Sequence, residues 1–262
     1  MSVYNAENPK WFKESIESML NQSIKPSQFV IVKDGPLTEK LDKVIDEYKN
    51  NEIFDIVPLE KNIGLAKALN EGLKHCRYEF VARMDSDDIS LPHRCEKELL
   101  ILTKRNVDVV GGAIEEFDED PDIVTTKRIP PESEEEVLKY AKKRNPFNHP
   151  SVMFKKSAVE AAGGYLEYPY FEDYNLWATM LNDGFKGYNT KEVVLKMRTG
   201  GGLYKRRGGF KYAKYMYRFK KHLKDIGFLS FGQFLFSATV RFIVALIPTG
   251  ARRFIYKVFL RK

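Results

Sequence analysis

The sequence predicts an α/β protein with a mostly parallel central sheet flanked by helices. Short apolar runs alternate with segments of helical spacing over residues 1–200, which is the pattern of a layered α/β domain. The chain has 262 residues, of which 43% are hydrophobic and 30% charged, so it can bury a full core. Residues 201–262 are predicted to form a helical, amphipathic tail. We therefore expect a body of residues 1–200 and a tail of residues 201–262.

The elements of the body follow one another along the chain. Apolar residues three and four apart predict helices at residues 8–22, 37–49, 63–76, 92–106 and 133–144. Apolar runs predict strands at residues 29–32, 54–59, 79–84 and 107–114, followed by an acidic loop at 115–122. Asn62 is expected to cap the third helix, and the glycines at 199–209 to form a linker. Asp34 and Asp85 each follow a strand, so both are expected to face one crevice at the carboxyl edge of the sheet.

The net charge of +7 is unevenly distributed along the chain. Residues 198–262 contain 16 Lys and Arg but only one acid, Asp225, whereas residues 1–197 contain 27 Lys and Arg and 35 acids. The chain is therefore an acidic body with a basic tail. Because an acidic body repels phosphates, this distribution argues against nucleic-acid binding.

Consecutive acids follow the predicted strand at residues 79–84. If the chain stays extended, Asp85 and Asp87 point the same way, so that two carboxylates converge on one point. Mg²⁺ or Mn²⁺ held by one or two carboxylates and a diphosphate is a common arrangement for these cations. The sequence therefore indicates a metal and diphosphate site at these two residues. The alternative is a solvated acidic turn or a helix cap, because Asp and Ser favour both.

A second pair of acids, Glu172 and Asp173, lies in the aromatic segment at residues 170–177. Aromatic neighbours raise the pKa of a carboxyl group and exclude water, and such a group could take the proton of an attacking sugar hydroxyl. The alternative is a helix N-terminus, where acids complement the helix dipole. The two interpretations are compatible.

These motifs resemble glycosyltransferase family 2, whose members are inverting enzymes with the Rossmann-like GT-A fold. The resemblance covers residues 1 to about 200, and each of its motifs is weak alone. The ordered set is specific, and it comprises residues 2–7, 18–22, 30–35, 62–70, 84–88, 148–151 and 171–177. The sequence looks most similar to bacterial members that build capsule, exopolysaccharide or lipopolysaccharide.

The resemblance implies roles for individual residues. The implied nucleotide-sugar-binding residues are Tyr4, Glu7, Asp34, Asn62, Gly64, Lys67, Asp85 and Ser86. The implied ligands of the Mg²⁺ or Mn²⁺ cofactor are Asp85 and Asp87. Asp173 is implied to be the catalytic base, with Glu172 beside the acceptor and His149 lining the acceptor side.

The sequence departs from the family pattern in two places. Family members carry paired acids after the second strand, but here Lys33 precedes Asp34, which leaves the donor less defined. Members also have several more apolar residues ahead of the segment that matches residues 3–5. We therefore expect either a start further upstream or a sheet that is shortened at the donor site.

The tail combines apolar and basic residues. Residues 226–248 are apolar with a narrow polar stripe, and residues 249–262 place aromatic and basic residues on different sides of a helix. This pattern favours binding in the plane of an anionic membrane surface. The alternatives are packing onto the body and a transmembrane span, which the central charge of Arg241 disfavours. Because residues 1–5 lack the pattern of a secretion signal, we expect a cytoplasmic protein, peripheral on the inner face of the plasma membrane.

The function expected from these features is metal-dependent, inverting transfer of a hexose. The donor would be a nucleoside-diphosphate sugar, with UDP favoured, and the acceptor a lipid-linked saccharide of bacterial surface polysaccharide synthesis. One alternative is a non-catalytic membrane or saccharide-binding protein with a degenerate donor site. Another is a sugar nucleotidyltransferase, which should carry a glycine-rich basic loop after its first strand; the sequence has none there.

Overall fold

A computed structural model describes residues 1–199 and 209–246 of the chain. The strands are β1 Ser2–Val3, β2 Phe29–Lys33, β3 Phe54–Pro58, β4 Phe80–Ala82, β5 Ile89–Ser90, β6 Val109–Phe117, β7 Val124–Arg128, β8 Met153–Lys155 and β9 Gly187–Arg198. The helices are α1 Pro9–Leu20, α2 Glu39–Asp46, α3 Leu65–His75, α4 Arg94–Arg105, α5 Glu134–Ala141, α6 Lys156–Ala161, α7 Glu172–Asn182, α8 Gly209–Asp225 and α9 Phe231–Leu246. A 3₁₀ turn occupies His149–Ser151.

The strands form two sheets with helices packed against them, which confirms the α/β class. The first sheet has the order β1-β2-β3 and is parallel throughout, with α1 and α2 as its crossovers. The second has the order β4-β8-β6-β9-β5, with β7 also paired to β6. In this sheet β6 and β9 run parallel, whereas the other described pairs are antiparallel. The expectation of a mostly parallel sheet therefore holds for the first sheet, and the second is mixed.

Two local predictions are wrong. The acidic loop expected at 115–122 begins later, because β6 continues to Phe117. After the loop, β7 pairs with β6. This strand was not predicted because it is polar, and the strand predictions relied on apolar runs. Asn62 does not cap α3. The helix begins after Gly64, which has φ +85° and no side chain to accept a capping hydrogen bond. The Asn62 side-chain amide instead donates to the backbone oxygen of Asp34 at 3.2 Å.

The largest core cluster joins the body to the first helix of the tail. Trp177 of α7 is fully buried at its centre, and α8 contributes a buried face of Tyr212, Ala213, Met216, Phe219 and Leu223. The rings of Phe171 and Phe219 stack with their centroids 4.8 Å apart. Burial of a side chain such as Phe219 stabilises the fold by about 1.5–3 kcal/mol. Residues 209–225 are therefore packed onto the body.

A second cluster fills the space between the first sheet and its helices, with Val3, Phe12, Ile16, Ile31 and Leu41 fully buried. The first strand is short, as the sequence indicated, and comprises Ser2 and Val3. An apolar cavity of about 400 Å³ is lined by residues of β2 and β4.

The rest of the tail is described in part. Within residues 1–199 and 209–246, no helix is long and apolar enough to cross a membrane. The amphipathic segment expected at 249–262 and most of the linker expected at 199–209 lie outside the described residues.

Candidate active site

Three carboxylates converge in the segment that links β4 to β5. Ligand oxygens of Asp85, Asp87 and Asp88 lie within 4.8 Å of one another. Hydrogen bonds fix this segment, because the Ser15 hydroxyl donates to the Asp85 carbonyl at 2.6 Å and the Arg198 Nε to the Asp87 carbonyl at 3.1 Å. The convergence predicted for Asp85 and Asp87 is present, and Asp88 joins them.

Burial and mutual repulsion make this cluster electrostatically unfavourable. Burial, followed by the charges of Asp85 and Glu7, raises the pKa of Asp87 to about 7. Burial and then Asp85 and Asp87 raise the pKa of Asp88 well above its usual value. Asp88 Oδ1 accepts a hydrogen bond from the backbone N–H of Arg198 at 2.8 Å, whereas its Oδ2 is buried and has no hydrogen-bond partner among residues 1–199 and 209–246.

A divalent cation would neutralise the repulsion between the carboxylates and could bind the Asp88 oxygen that has no hydrogen-bond partner. The donor set consists of hard carboxylate oxygens, which Mg²⁺ and Mn²⁺ prefer. The partnerless Asp88 oxygen and the raised pKa of Asp87 are signs of uncompensated negative charge in the cluster. The residues present therefore fit a divalent cation.

Two buried arginines that the sequence analysis missed support the cluster. Arg83 forms an ion pair with Asp85, and its side chain is 4% exposed. Its Nε and Nη1 atoms are buried without a hydrogen-bond partner in the described part of the chain. Arg198 donates to three oxygens and lies between the rings of Trp11 and Phe117, each centroid 4.5 Å from its guanidinium carbon. For Arg83 the available signal was a single arginine within the largely apolar predicted strand at 79–84. Arg198 had no such signal, because β9 contains several other polar and charged residues.

Most of the predicted nucleotide-binding residues belong to one of two groups, each linked internally by hydrogen bonds. Ser86 Oγ donates to Glu7 Oε2 at 2.7 Å, so Glu7 lies beside the acidic cluster. Asp34 follows β2 and accepts a hydrogen bond from the backbone N–H of Ile63 at 2.7 Å, which joins it to the loop of Asn62 and Gly64.

Two other predicted nucleotide-binding residues are more exposed. Tyr4 is 47% exposed. Lys67 is exposed on α3 and pairs with Glu167 at 2.9 Å.

The two acids of the aromatic segment begin α7, which confirms the helix-terminus interpretation. Asp173 accepts hydrogen bonds from Asn145 Nδ2 at 2.6 Å and from the Tyr174 backbone N–H at 2.7 Å, which fix its carboxylate. Burial and then Asp173 raise the pKa of Glu172 to about 7, and Arg83 and Asp85 also act on it. The acids of α7 and the cluster after β4 are thus within electrostatic reach of each other.

His149 lies in the 3₁₀ turn that precedes β8. Its Nε2 is 3.2 Å from the Tyr165 hydroxyl, and its ring meets the edge of Trp177. Burial, followed by the charge of Arg83, lowers the pKa of His149 well below its usual value. His149 and Tyr165 are therefore in contact, and both lie within the electrostatic influence of Arg83.

Comparison with known proteins identifies the family. A model of glycosyl transferase family 2 matches residues 1–161, and the chain belongs to that family. It is 37% identical over 264 residues to UDP-Gal:alpha-D-GlcNAc-diphosphoundecaprenol beta-1,3-galactosyltransferase of Escherichia coli, covering 100% of this chain and 95% of the relative. It is 39% identical over 261 residues to the amylovoran biosynthesis glycosyltransferase AmsE of Erwinia amylovora, covering 98% and 96%. The protein is therefore a glycosyltransferase.

Solved structures confirm the GT-A fold. Residues 1–349 of S. aureus TarS superpose with a TM-score of 0.68 at 14% identity, covering 99% of this chain and 74% of that one. The mannosyltransferase PcManGT of Pyrobaculum calidifontis, solved with GDP-Man and Mn²⁺, gives a TM-score of 0.64 at 15% identity, covering 95% and 76%.

Proposed function

We propose that the protein transfers a hexose from a UDP-linked donor to a hydroxyl of a lipid-linked saccharide, with Mg²⁺ or Mn²⁺ as cofactor and with inversion at the anomeric carbon. The observation that carries this proposal is the convergence of Asp85, Asp87 and Asp88 within reach of the acids that begin α7. The E. coli relative is named for a UDP-Gal donor and a diphosphoundecaprenol-linked acceptor, and TarS has been solved with UDP-GlcNAc. Galactose is therefore the first hexose to test.

Asp85 and Asp87 would hold the cation, with Asp88 beside them. When bound, Mg²⁺ or Mn²⁺ supplies positive charge that neutralises the leaving diphosphate. Arg83 orients Asp85 through their ion pair, and Arg198 holds the Asp87 backbone. Glu7, Ser86 and the linked group of Asp34, Asn62 and Gly64 would contact the nucleoside, with Tyr4 and Lys67 at the edge of that site.

Asp173 would act as the base. Its carboxylate takes the proton of the acceptor hydroxyl, whose oxygen forms a bond to the anomeric carbon. The bond from that carbon to the diphosphate oxygen breaks, and UDP leaves with the electron pair. A single displacement assisted by one base inverts the configuration. Asn145 and the Tyr174 N–H keep the carboxylate in place, while Glu172 and His149 would line the acceptor side.

We also propose that the protein is cytoplasmic and binds the inner membrane surface through residues 201–262. The described part of this tail supports that proposal. Lys211, Lys214, Arg218 and Lys221 are exposed on α8. Phe231, Leu235 and Phe236 are 68%, 54% and 74% exposed on α9. Exposed basic and aromatic residues suit an anionic bilayer, where a lipid-linked acceptor would be found.

The test compares Asp173→Asn with Glu172→Gln in a transfer assay that uses UDP-galactose and a diphospholipid-linked GlcNAc. Asp173→Asn is expected to lower kcat by at least about 10²-fold, because removal of a general base has effects of this size. Binding of UDP-galactose to this variant should stay unchanged. Glu172→Gln should mainly raise the KM for the acceptor. Normal turnover by Asp173→Asn would overturn the assignment of the base.

A further inference from the structure

Tyr170 adopts a backbone conformation that is unusual for its residue type. The N–H of Phe171 donates to the Tyr168 carbonyl at 2.7 Å, Pro169 occupies the second position of this turn, and Tyr170 in the third position has φ +72°. This is the pattern of a type II turn, whose third position favours Gly or Asn because φ must be positive. The other non-glycine residue with positive φ in the described chain is Asn106, a residue type that tolerates it.

Core packing does not account for the tyrosine. Its side chain is 48% exposed, so much of the ring remains accessible. The ring centroid lies 5.5 Å from that of Tyr212 and 6.2 Å from that of Tyr215, both on α8. The neighbouring helix therefore supports the ring, while the backbone holds it in a conformation that a glycine would adopt more readily. Strained residues of this kind cluster at ligand sites.

The position of the turn indicates which ligand would meet this ring. The turn leads directly into α7, whose first two residues are Glu172 and Asp173. Three Cα–Cα steps of about 3.8 Å put the Cα of Tyr170 within about 11 Å of the Cα of Asp173. This distance is the span of one or two sugar units. An acceptor whose hydroxyl reaches Asp173 thus has its neighbouring ring within range of Tyr170.

We propose that Tyr170 is a stacking platform for the acceptor saccharide and contributes to acceptor specificity. A pyranose ring presents a face of C–H bonds, which is apolar, and an aromatic ring can cover that face without forming hydrogen bonds. A ring held on Tyr212 and Tyr215 loses little conformational freedom when the sugar binds, which favours affinity. The inference rests on the proposed transfer to a saccharide, and it adds a residue that determines how the acceptor is bound.

The experiment compares Tyr170→Gly and Tyr170→Phe with wild type. Tyr170→Gly removes the ring and suits the positive φ, whereas Tyr170→Phe retains the ring. Tyr78→Gly is the matched control, because Tyr78 is exposed to a similar extent, at 51%, but precedes β4 and not α7. Four quantities are measured: acceptor KM and kcat at saturating UDP-galactose, hydrolysis of UDP-galactose without acceptor, and the melting temperature.

Tyr170→Gly should raise the acceptor KM about tenfold, the size expected for one lost aromatic contact. Its kcat, its hydrolysis rate and its melting temperature should stay close to wild type, because glycine relieves the backbone strain. Tyr170→Phe and Tyr78→Gly should leave the acceptor KM within about twofold.

The remaining outcomes distinguish failure of this inference from failure of the proposed function. An unchanged acceptor KM in Tyr170→Gly would overturn this inference alone. Equal losses of transfer and hydrolysis, with a lower melting temperature, would also overturn it, since they indicate that the ring only positions α7. Absence of transfer by the wild-type protein would overturn the proposed function and this inference together.

Discussion

Replacing Arg198 by methionine is expected to destabilise the protein by about 3–5 kcal/mol, the range for removing one partner of a buried charge network. The Arg198 side chain is 3% exposed. Its three donors each lie 3.1 Å from an oxygen: Nε from the Asp87 carbonyl, Nη1 from the Glu119 carbonyl and Nη2 from Glu14 Oε2. Methionine fills a similar volume but donates none of these hydrogen bonds.

The two carbonyl groups account for most of this magnitude. A hydrogen bond from a charged donor contributes about 1.5–3 kcal/mol, and the carbonyls of Asp87 and Glu119 both lose one. Glu14 is 35% exposed and can be hydrated again, so its loss adds little. The contacts with the rings of Trp11 and Phe117 are largely retained, because a thioether also packs well on aromatic rings.

Thermal unfolding of Arg198→Met beside Lys196→Met tests this reasoning. Lys196 precedes Arg198 by two residues on β9 and also donates to a backbone carbonyl, that of Pro121, at 2.9 Å. Its ionic partner Asp122 is 88% exposed and adds little, so Lys196→Met loses one charged hydrogen bond to a carbonyl and should cost about 1.5–3 kcal/mol, less than Arg198→Met, which loses two. Arg198→Met should lower the melting temperature by about 10 °C, since each kcal/mol corresponds to about 2–4 °C. Equal melting temperatures for the two variants would refute the structural role given to Arg198.

Two further predictions concern charge in the acidic cluster. The pKa of Asp87 is raised to about 7, and a cation needs the ionised carboxylate, so calorimetry should find Mn²⁺ affinity about tenfold lower at pH 6 than at pH 8. The stability of the metal-free protein should change with pH in the opposite direction. Because the raised pKa favours protonated Asp87 in the folded state, the free energy of unfolding falls as pH rises toward about 7. If neither the Mn²⁺ affinity nor the stability varied with pH, the description of the acidic cluster would be contradicted. Arg83→Gln removes the partner of Asp85 and should lower kcat/KM for transfer at least about tenfold, whereas Arg83→Lys should recover part of it. Equal activity of the glutamine variant and wild type would exclude a role for the ion pair.

Features that depend on neighbouring residues could be predicted from the sequence. Asp85 and Asp87 are two residues apart after an apolar strand, so their convergence follows from local geometry. The start of a helix at Glu172 follows in the same way from two acids ahead of an apolar segment. The α/β class was predictable because apolar runs and helical spacing alternate over most of the body.

Features that depend on long-range contacts could not be predicted in this way. The bond between Asp88 and the Arg198 backbone joins positions 110 residues apart, and no local pattern pairs them. Asn62 suited a helix cap by residue type, but the carbonyl of Asp34, 28 residues earlier, engages its amide. The buried face of α8 has helical spacing, yet its partner, the Phe171 and Trp177 region, appears only in the folded chain. Because of this contact, α8, which was expected to belong to the tail, forms part of the core.

The departures from the family pattern bear on the donor site. Lys33 replaces an expected acid, and its Nζ pairs with Asp42 at 2.6 Å, directed toward α2. Asp34 is buried and linked to the loop before α3, so one acid of the expected pair remains after β2. The proposed activity requires that the site with this single acid binds the nucleotide.

The most direct test is calorimetric titration of the protein with UDP-galactose, with and without Mn²⁺, beside an Asp85→Ala/Asp87→Ala double variant whose folding is checked by thermal unfolding. The account predicts binding that requires Mn²⁺ in the wild-type protein and is lost in the folded double variant. Binding of equal affinity without the metal, or in the double variant, would contradict the metal-dependent donor site. No binding of any UDP-sugar by the wild type would favour a degenerate donor site and a non-catalytic role.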